Sequence, residues 1–163
     1  MPRSASKDPK KALLPGTALP DVAARPGGAL SEQERRPSET AAPGAHWKEE
    51  PEEQDFPAAA TYLSLLLERG EAHKLAKALE RQTSIEHYKV KDILRASSLA
   101  LLAADDAEVA KDLAKVLGGV KLSPVLLVRG VPLWVADGYH RICASYHLSE
   151  NTEVPCRVVS RRD

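Results

Sequence analysis

Five adjacent residues, Asp137, Gly138, Tyr139, His140 and Arg141, stand inside "VADGYHRICASYHL", residues 135–148. Their types suit phosphate chemistry. The apolar run before them reads as a buried strand and the segment after them as a helix. Gly138 lets the backbone turn sharply between the two, and lets a ligand approach where a Cβ would block it. The first N–H groups of the helix, starting at Tyr139, have no internal partner, and the helix dipole there favours an anion. Arg141 in the first turn adds a planar fork that matches phosphate oxygens. His140 can donate a hydrogen bond or move a proton near neutral pH. Asp137 can hold Mg²⁺ through water, or take a proton from an acceptor hydroxyl. Asp137 and His140 are therefore the catalytic candidates. The same residues admit a plainer reading, in which Asp137 caps the helix and His140 and Arg141 are ordinary surface residues.

Other constellations carry less chemistry. His140 and His147 lie seven residues apart, a spacing that lacks the i, i+4 geometry or third ligand of a zinc site, so no metal site is expected. Tyr88, Tyr139 and Tyr146 can stack on a base, although core packing is the commoner use of such rings. Trp134 sits in a strand pattern and reads as core, His73 as an exposed helix residue, and Trp47 as part of an exposed tail. The two cysteines, Cys143 and Cys156, are too few for a disulfide framework and lie in apolar patterns, as buried reduced thiols do.

The elements that must position the Asp-Gly turn follow from periodicity and punctuation. Eight of the twelve prolines precede residue 56, and the apolar residues there are isolated. Residues 1–54 are therefore expected to be a disordered tail. Lys10 and Lys11, or Arg35 and Arg36, offer it a contact patch for a protein partner. Residues 55–83 read as a helical hairpin. Its first helix has Asp55 as N-cap, Pro57 in the first turn, a stripe of Leu63, Leu66 and Leu67, and Gly70 beyond its end. The second helix carries Leu75, Ala78 and Leu79 on one side. Residues 84–163 then alternate short strands and helices. Ile85, Tyr88 and Val90 suggest a strand, and "KDILRAS" a turn of helix or a loop. "DDAEVAKDLAKVLGG" is a helix with acids at its start, Val109, Leu113, Val116 and Leu117 on one face, and a Gly-Gly end. "SPVLLVRG" and "VPLWVADG" form a tight hairpin about Gly130 and Val131. "YHRICASYHL" is a helix and "TEVPCRVVS" a closing strand. This is an α+β chain, a small mixed sheet covered by helices.

Bulk composition excludes several classes. With 23 basic and 23 acidic residues among 163, the formal charge is zero, so no global attraction to nucleic acid or anionic membrane is expected. There is no apolar run of transmembrane length and no apolar core in the first residues to suggest a secretory signal. A cytoplasmic location is the expectation.

From Val90 to Val159 the chain resembles the ParB/sulfiredoxin superfamily. The order of its elements is carried by "VKDILRAS", "DAEVAKDLAKVL", "LSPVLLVRG", "LWVADGYHRICASYHL" and "VPCRVV". Partition proteins of that family carry Gly-Glu-Arg-Arg at the turn, sulfiredoxins Gly-Cys-His-Arg, and bacterial and archaeal small-molecule kinases Asp-Gly-His-His-Arg or close variants. "DGYHR" is similar to the last two. The resemblance implies that the turn holds nucleotide phosphates, of ATP or CTP with Mg²⁺, through Gly138, the Tyr139 backbone, His140 and Arg141, with Arg95 in a second nucleotide-side segment. It implies a phosphotransferase or nucleotide hydrolase, with Glu86, Asp92 and Asp137 as candidate bases. Tyr139 replaces the sulfiredoxin cysteine, which argues against sulfinic-acid reduction. Only 22 residues follow Arg141, too few for the DNA-binding helix-turn-helix of partition proteins, so sequence-specific DNA binding is not expected. The alternative is a non-enzymatic module, antitoxin-like or partition-accessory, that binds protein or DNA.

Overall fold

A computed structural model describes residues 45–162. Five helices and a four-stranded mixed sheet make an α+β fold. In chain order the elements are α1 (Asp55–Leu63), α2 (Arg69–Arg81), β1 (Glu86–Lys89), α3 (Val90–Ser97), α4 (Ala107–Leu117), β2 (Val125–Arg129), β3 (Trp134–Asp137), α5 (Tyr139–Leu148) and β4 (Glu153–Ser160). The sheet order is β1-β4-β2-β3. The central pair β2–β4 is parallel, and the two outer pairs are antiparallel.

Both faces of the sheet are covered, which explains why β2 and β4 read as continuous apolar runs rather than alternating ones. Val125, Leu127, Val135, Val154, Cys156 and Val158 face one core, with Val90 and Ile93 of α3 and Ile142 of α5. Leu126, Val128, Ala136 and Val159 face the other, with Ala59 and Leu63 of α1 and Ala72, Leu75 and Leu79 of α2. The period-two alternation of a strand thus sorts neighbouring residues onto opposite layers. α4 packs on α5 through Val109, Cys143 and Ala144. Asp106 caps α4, its carboxylate accepting the N–H groups of Glu108 at 3.1 Å and Val109 at 3.2 Å.

β2 and β3 pair as the expected hairpin, with a bulge between Leu126 and Leu127, but its loop spans the four residues 130–133 rather than the tight Gly130–Val131 turn, because β3 starts only at Trp134. Several sequence expectations change. The expected tail, residues 1–54, falls mostly outside the described residues, but residues 45–54 are packed on the domain. Trp47 is buried in the core, and its segment pairs with Leu122: Lys48 N–H donates to Leu122 O at 2.7 Å, and Leu122 N–H to His46 O at 2.8 Å. The first helix stops at Leu63, because the backbone tightens there to three-residue spacing, with Leu65 N–H donating to Tyr62 O and Leu66 N–H to Leu63 O. Gly70 therefore lies in the first turn of α2 rather than beyond α1. Leu117 closes α4 exposed to solvent instead of joining its apolar face.

Candidate functional site

The β3–α5 turn is built around Gly138. Its φ of 106° is left-handed, open to glycine and strained for other residues. A Cβ there would also meet Val125 Cγ1 at 2.1 Å and the Arg141 guanidinium nitrogens at 3.2 and 3.3 Å. The space expected for an approaching ligand is thus occupied by the protein's own side chains, and the glycine is required by backbone and packing. α5 begins immediately after it, with Ile142 N–H donating to Gly138 O at 3.0 Å. No side chain caps this helix. The capping reading of Asp137 therefore fails, because its carboxylate turns to Arg141.

Arg141 is not a surface residue, with its side chain only 12% exposed. Its Nη2 lies 2.5 Å from Asp137 Oδ2, and its Nη1 lies 3.5 Å from Asp55 Oδ2. Asp55, expected as the N-cap of α1, instead accepts the Glu52 N–H at 3.0 Å and the Ser123 hydroxyl. Ser123 Oγ also accepts the Glu52 N–H, at 3.1 Å. One guanidinium thus sits between two carboxylates, one a helical turn away in the chain and the other 86 residues before it. Burial pushes the Asp137 carboxyl up to about 6, with Arg141 opposing the rise and the neighbouring Asp55 carboxylate adding to it. Asp137 can therefore take and release a proton close to neutral pH.

The other turn residues divide in role. The Tyr139 hydroxyl donates to Ala100 O at 2.5 Å, and its ring packs against the core. Burial raises its phenol above the ordinary value. Only its backbone N–H is left for a ligand. The His140 ring is exposed, its centroid 5.7 Å from that of Tyr139.

Asp137, Gly138, Tyr139, His140 and Arg141 all line one cleft of about 470 Å³. Small-molecule sites commonly span about 300–1,000 Å³. Glu52, Asp55, Ala58 and Tyr62 form a second wall, and Leu99 contributes from the segment after α3. The third wall is α4, which presents Glu108, Asp112 and Lys115. Asp112 is buried, and Lys115 donates to it at 2.8 Å. These three escaped the sequence reading, although their i, i+4, i+7 spacing places them on one helix face beside the apolar stripe.

Arg95 does not reach the cleft. It is exposed on α3 and pairs with Asp92 at 3.0 Å. Glu86 is also elsewhere, on β1, where it pairs with Arg129 at 3.1 Å. Of the three candidate bases, Asp137 alone lines the cleft. Among the described residues no three His, Cys, Asp or Glu side chains converge as a metal cage. Cys143 and Cys156 are free and buried, and burial raises both thiols. No helix among the described residues is long and apolar enough to cross a membrane. Comparison of the chain with protein-family models, with curated proteins and with solved structures finds no match in any of the three.

Proposed function

We propose that the cleft binds a nucleoside triphosphate, ATP or CTP, carried with Mg²⁺, and that the chain is a ParB/sulfiredoxin-like phosphotransferase or nucleotide hydrolase. The observation that carries the reading is the convergence, in one cleft, of an uncapped helix N-terminus, the exposed His140 and a carboxyl group poised near pH 6. The family reading rests on the sequence resemblance of residues 90–159, the stretch that holds α3, α4, β2, β3, α5 and β4, with the α1–α2 pair read as an N-terminal hairpin added in front. Phosphate oxygens take the N–H groups of Tyr139 and His140 and a hydrogen bond from the His140 ring. Asp137 accepts the proton of the attacking hydroxyl or water. Glu108 lines the same space and would hold waters of a cation brought in on the phosphates, while Asp112 positions Lys115 beside it.

Arg141 enters this scheme conditionally, because its donors already serve two carboxylates. Protonation of Asp137 frees Nη2, so phosphate binding and proton uptake are coupled. Affinity then rises as pH falls through about 6, whereas turnover falls over the same window because the base is lost. Calorimetric titration of the full chain with ATP and CTP, with Mg²⁺, tests this together with phosphate release between pH 5 and 8. His140→Ala should weaken binding by about 1.5–3 kcal/mol, the usual range for a hydrogen bond to a charged group. The same titrations on His140→Ala isolate Asp137 from the imidazole. Binding without turnover would leave a nucleotide-responsive switch, and absence of binding would remove the reading.

A further inference from the structure

We infer that Tyr62 is the base-stacking residue of this cleft, so that the nucleotide lies with its phosphates at the β3–α5 turn and its planar heterocycle on the α1 wall. The inference rests on the phosphate reading above. It starts from the uneven lining of the cleft. Acidic and basic side chains gather near Asp137 and along α4, while Ala58, Tyr62 and Leu99 supply apolar surface. Such a division matches a molecule that is charged at one end and flat and weakly polar at the other.

Tyr62 differs from the other three tyrosines. Tyr88 bonds to Glu86, Tyr139 to Ala100 O, and Tyr146 to Glu150. The Tyr62 side chain has no hydrogen bond and no ring partner among the described residues, and the residue is 36% exposed. It sits on the last turn of α1, directly before Leu63, which is fully buried. The helix is therefore anchored by Leu63 while the adjacent ring stays open to the cleft. An aromatic face on a rigid helix, with an unused hydroxyl, binds a base with little ordering cost and little preference among bases. Leu99, half-buried against the core, lines the same space and supplies an aliphatic surface.

The test compares ligands that share one half of the nucleotide. The full chain, Tyr62→Ala and Tyr62→Phe are titrated with ATP, CTP, inorganic tripolyphosphate and adenosine, all with Mg²⁺. Tyr62→Ala is expected to lose about tenfold in affinity for ATP and CTP and nothing for tripolyphosphate, in line with stacking measured by alanine substitution. Tyr62→Phe should bind like wild type. Unchanged melting temperatures without ligand show that the partly exposed ring does not hold the fold. Equal ATP affinity in wild type and Tyr62→Ala overturns the stacking role, as does an equal loss for tripolyphosphate. Wild type that binds tripolyphosphate and ATP alike keeps the phosphate site and removes the base site. Adenosine binding that depends on Tyr62, without tripolyphosphate binding, keeps the stacking residue and removes the phosphate reading. Failure of every ligand overturns both.

Discussion

Arg141 and Arg157 are both held inside the domain, their side chains 12% and 8% exposed, yet their partners are of opposite kinds. Arg157, on β4, donates to the carbonyls of Leu79 at 3.3 Å and Glu80 at 3.0 Å, in the last turn of α2. It also pairs with Glu50 and lies 5.6 Å from the centre of the Phe56 ring. Two of its acceptors are backbone carbonyls, and Glu50 remains largely in water. This arginine fastens the leading segment and α2 to the sheet, supplying donors to helix-end carbonyls that have no helical partner. Arg141 instead faces two carboxylates at the edge of a cleft, one of them displaced to about 6. Similar burial thus produces a fixed clamp on one side and a protonation-sensitive group on the other. What differs is that Arg157 also holds two backbone carbonyls, which do not titrate, whereas both partners of Arg141 are largely buried carboxylates.

Removing each guanidinium should separate the two. Arg141→Ala leaves Asp55 and Asp137 facing each other without a cation. Loss of one partner from a buried charge pair costs about 3–5 kcal/mol. The full loss is expected at pH 8 in denaturant unfolding, shrinking toward pH 5 as Asp137 takes a proton. A loss that is independent of pH would show that the carboxylates do not interact. Arg157→Ala should cost about 2 kcal/mol, from unsatisfied carbonyls and lost packing on Phe56. That cost should stay level between pH 5 and 8, and a steep pH dependence would abolish the contrast.

The smallest effect concerns Asp137 itself. Its folded-state pKa lies above the unfolded value, so the folded protein binds the extra proton between about pH 6 and pH 4. Stability attributable to this group is present at the acidic end of that window and is lost as pH rises through about 6. Relative to Asp137→Asn, wild type should therefore gain on the order of 1–2 kcal/mol on acidification from pH 7 to pH 4. Parallel pH–stability curves for the two proteins would assign the pKa displacement to some other arrangement.

Much of the scaffold was legible in the chain. The apolar strand runs, the acid-led α4 with most of its apolar stripe, and the strand–Gly–helix order are local, encoded in residues a few positions apart. Gly138 was recognisable as the pivot of a sharp turn, because a glycine between an apolar run and a helix marks a backbone conformation that other residues adopt only under strain. Its neighbours Asp137 and His140 were recognisable as cleft residues for the same reason, since the turn dictates where they lie.

What the tertiary structure alone decided is which distant residues meet there. Trp47 lies in a proline-rich stretch with no period to mark it, yet it is buried against Leu122 and the first core. Asp55 has the pattern of a helix cap, and only the packing of α1 on β3 carries it to Arg141. Arg141 has the pattern of an exposed first-turn residue, and only those two carboxylates turn it inward. The short-range signals are set by backbone sterics and hydrogen-bond geometry, which act within one turn of chain. Charge pairing and displaced proton affinity depend on separation and on water exclusion, and those exist only once the layers have closed.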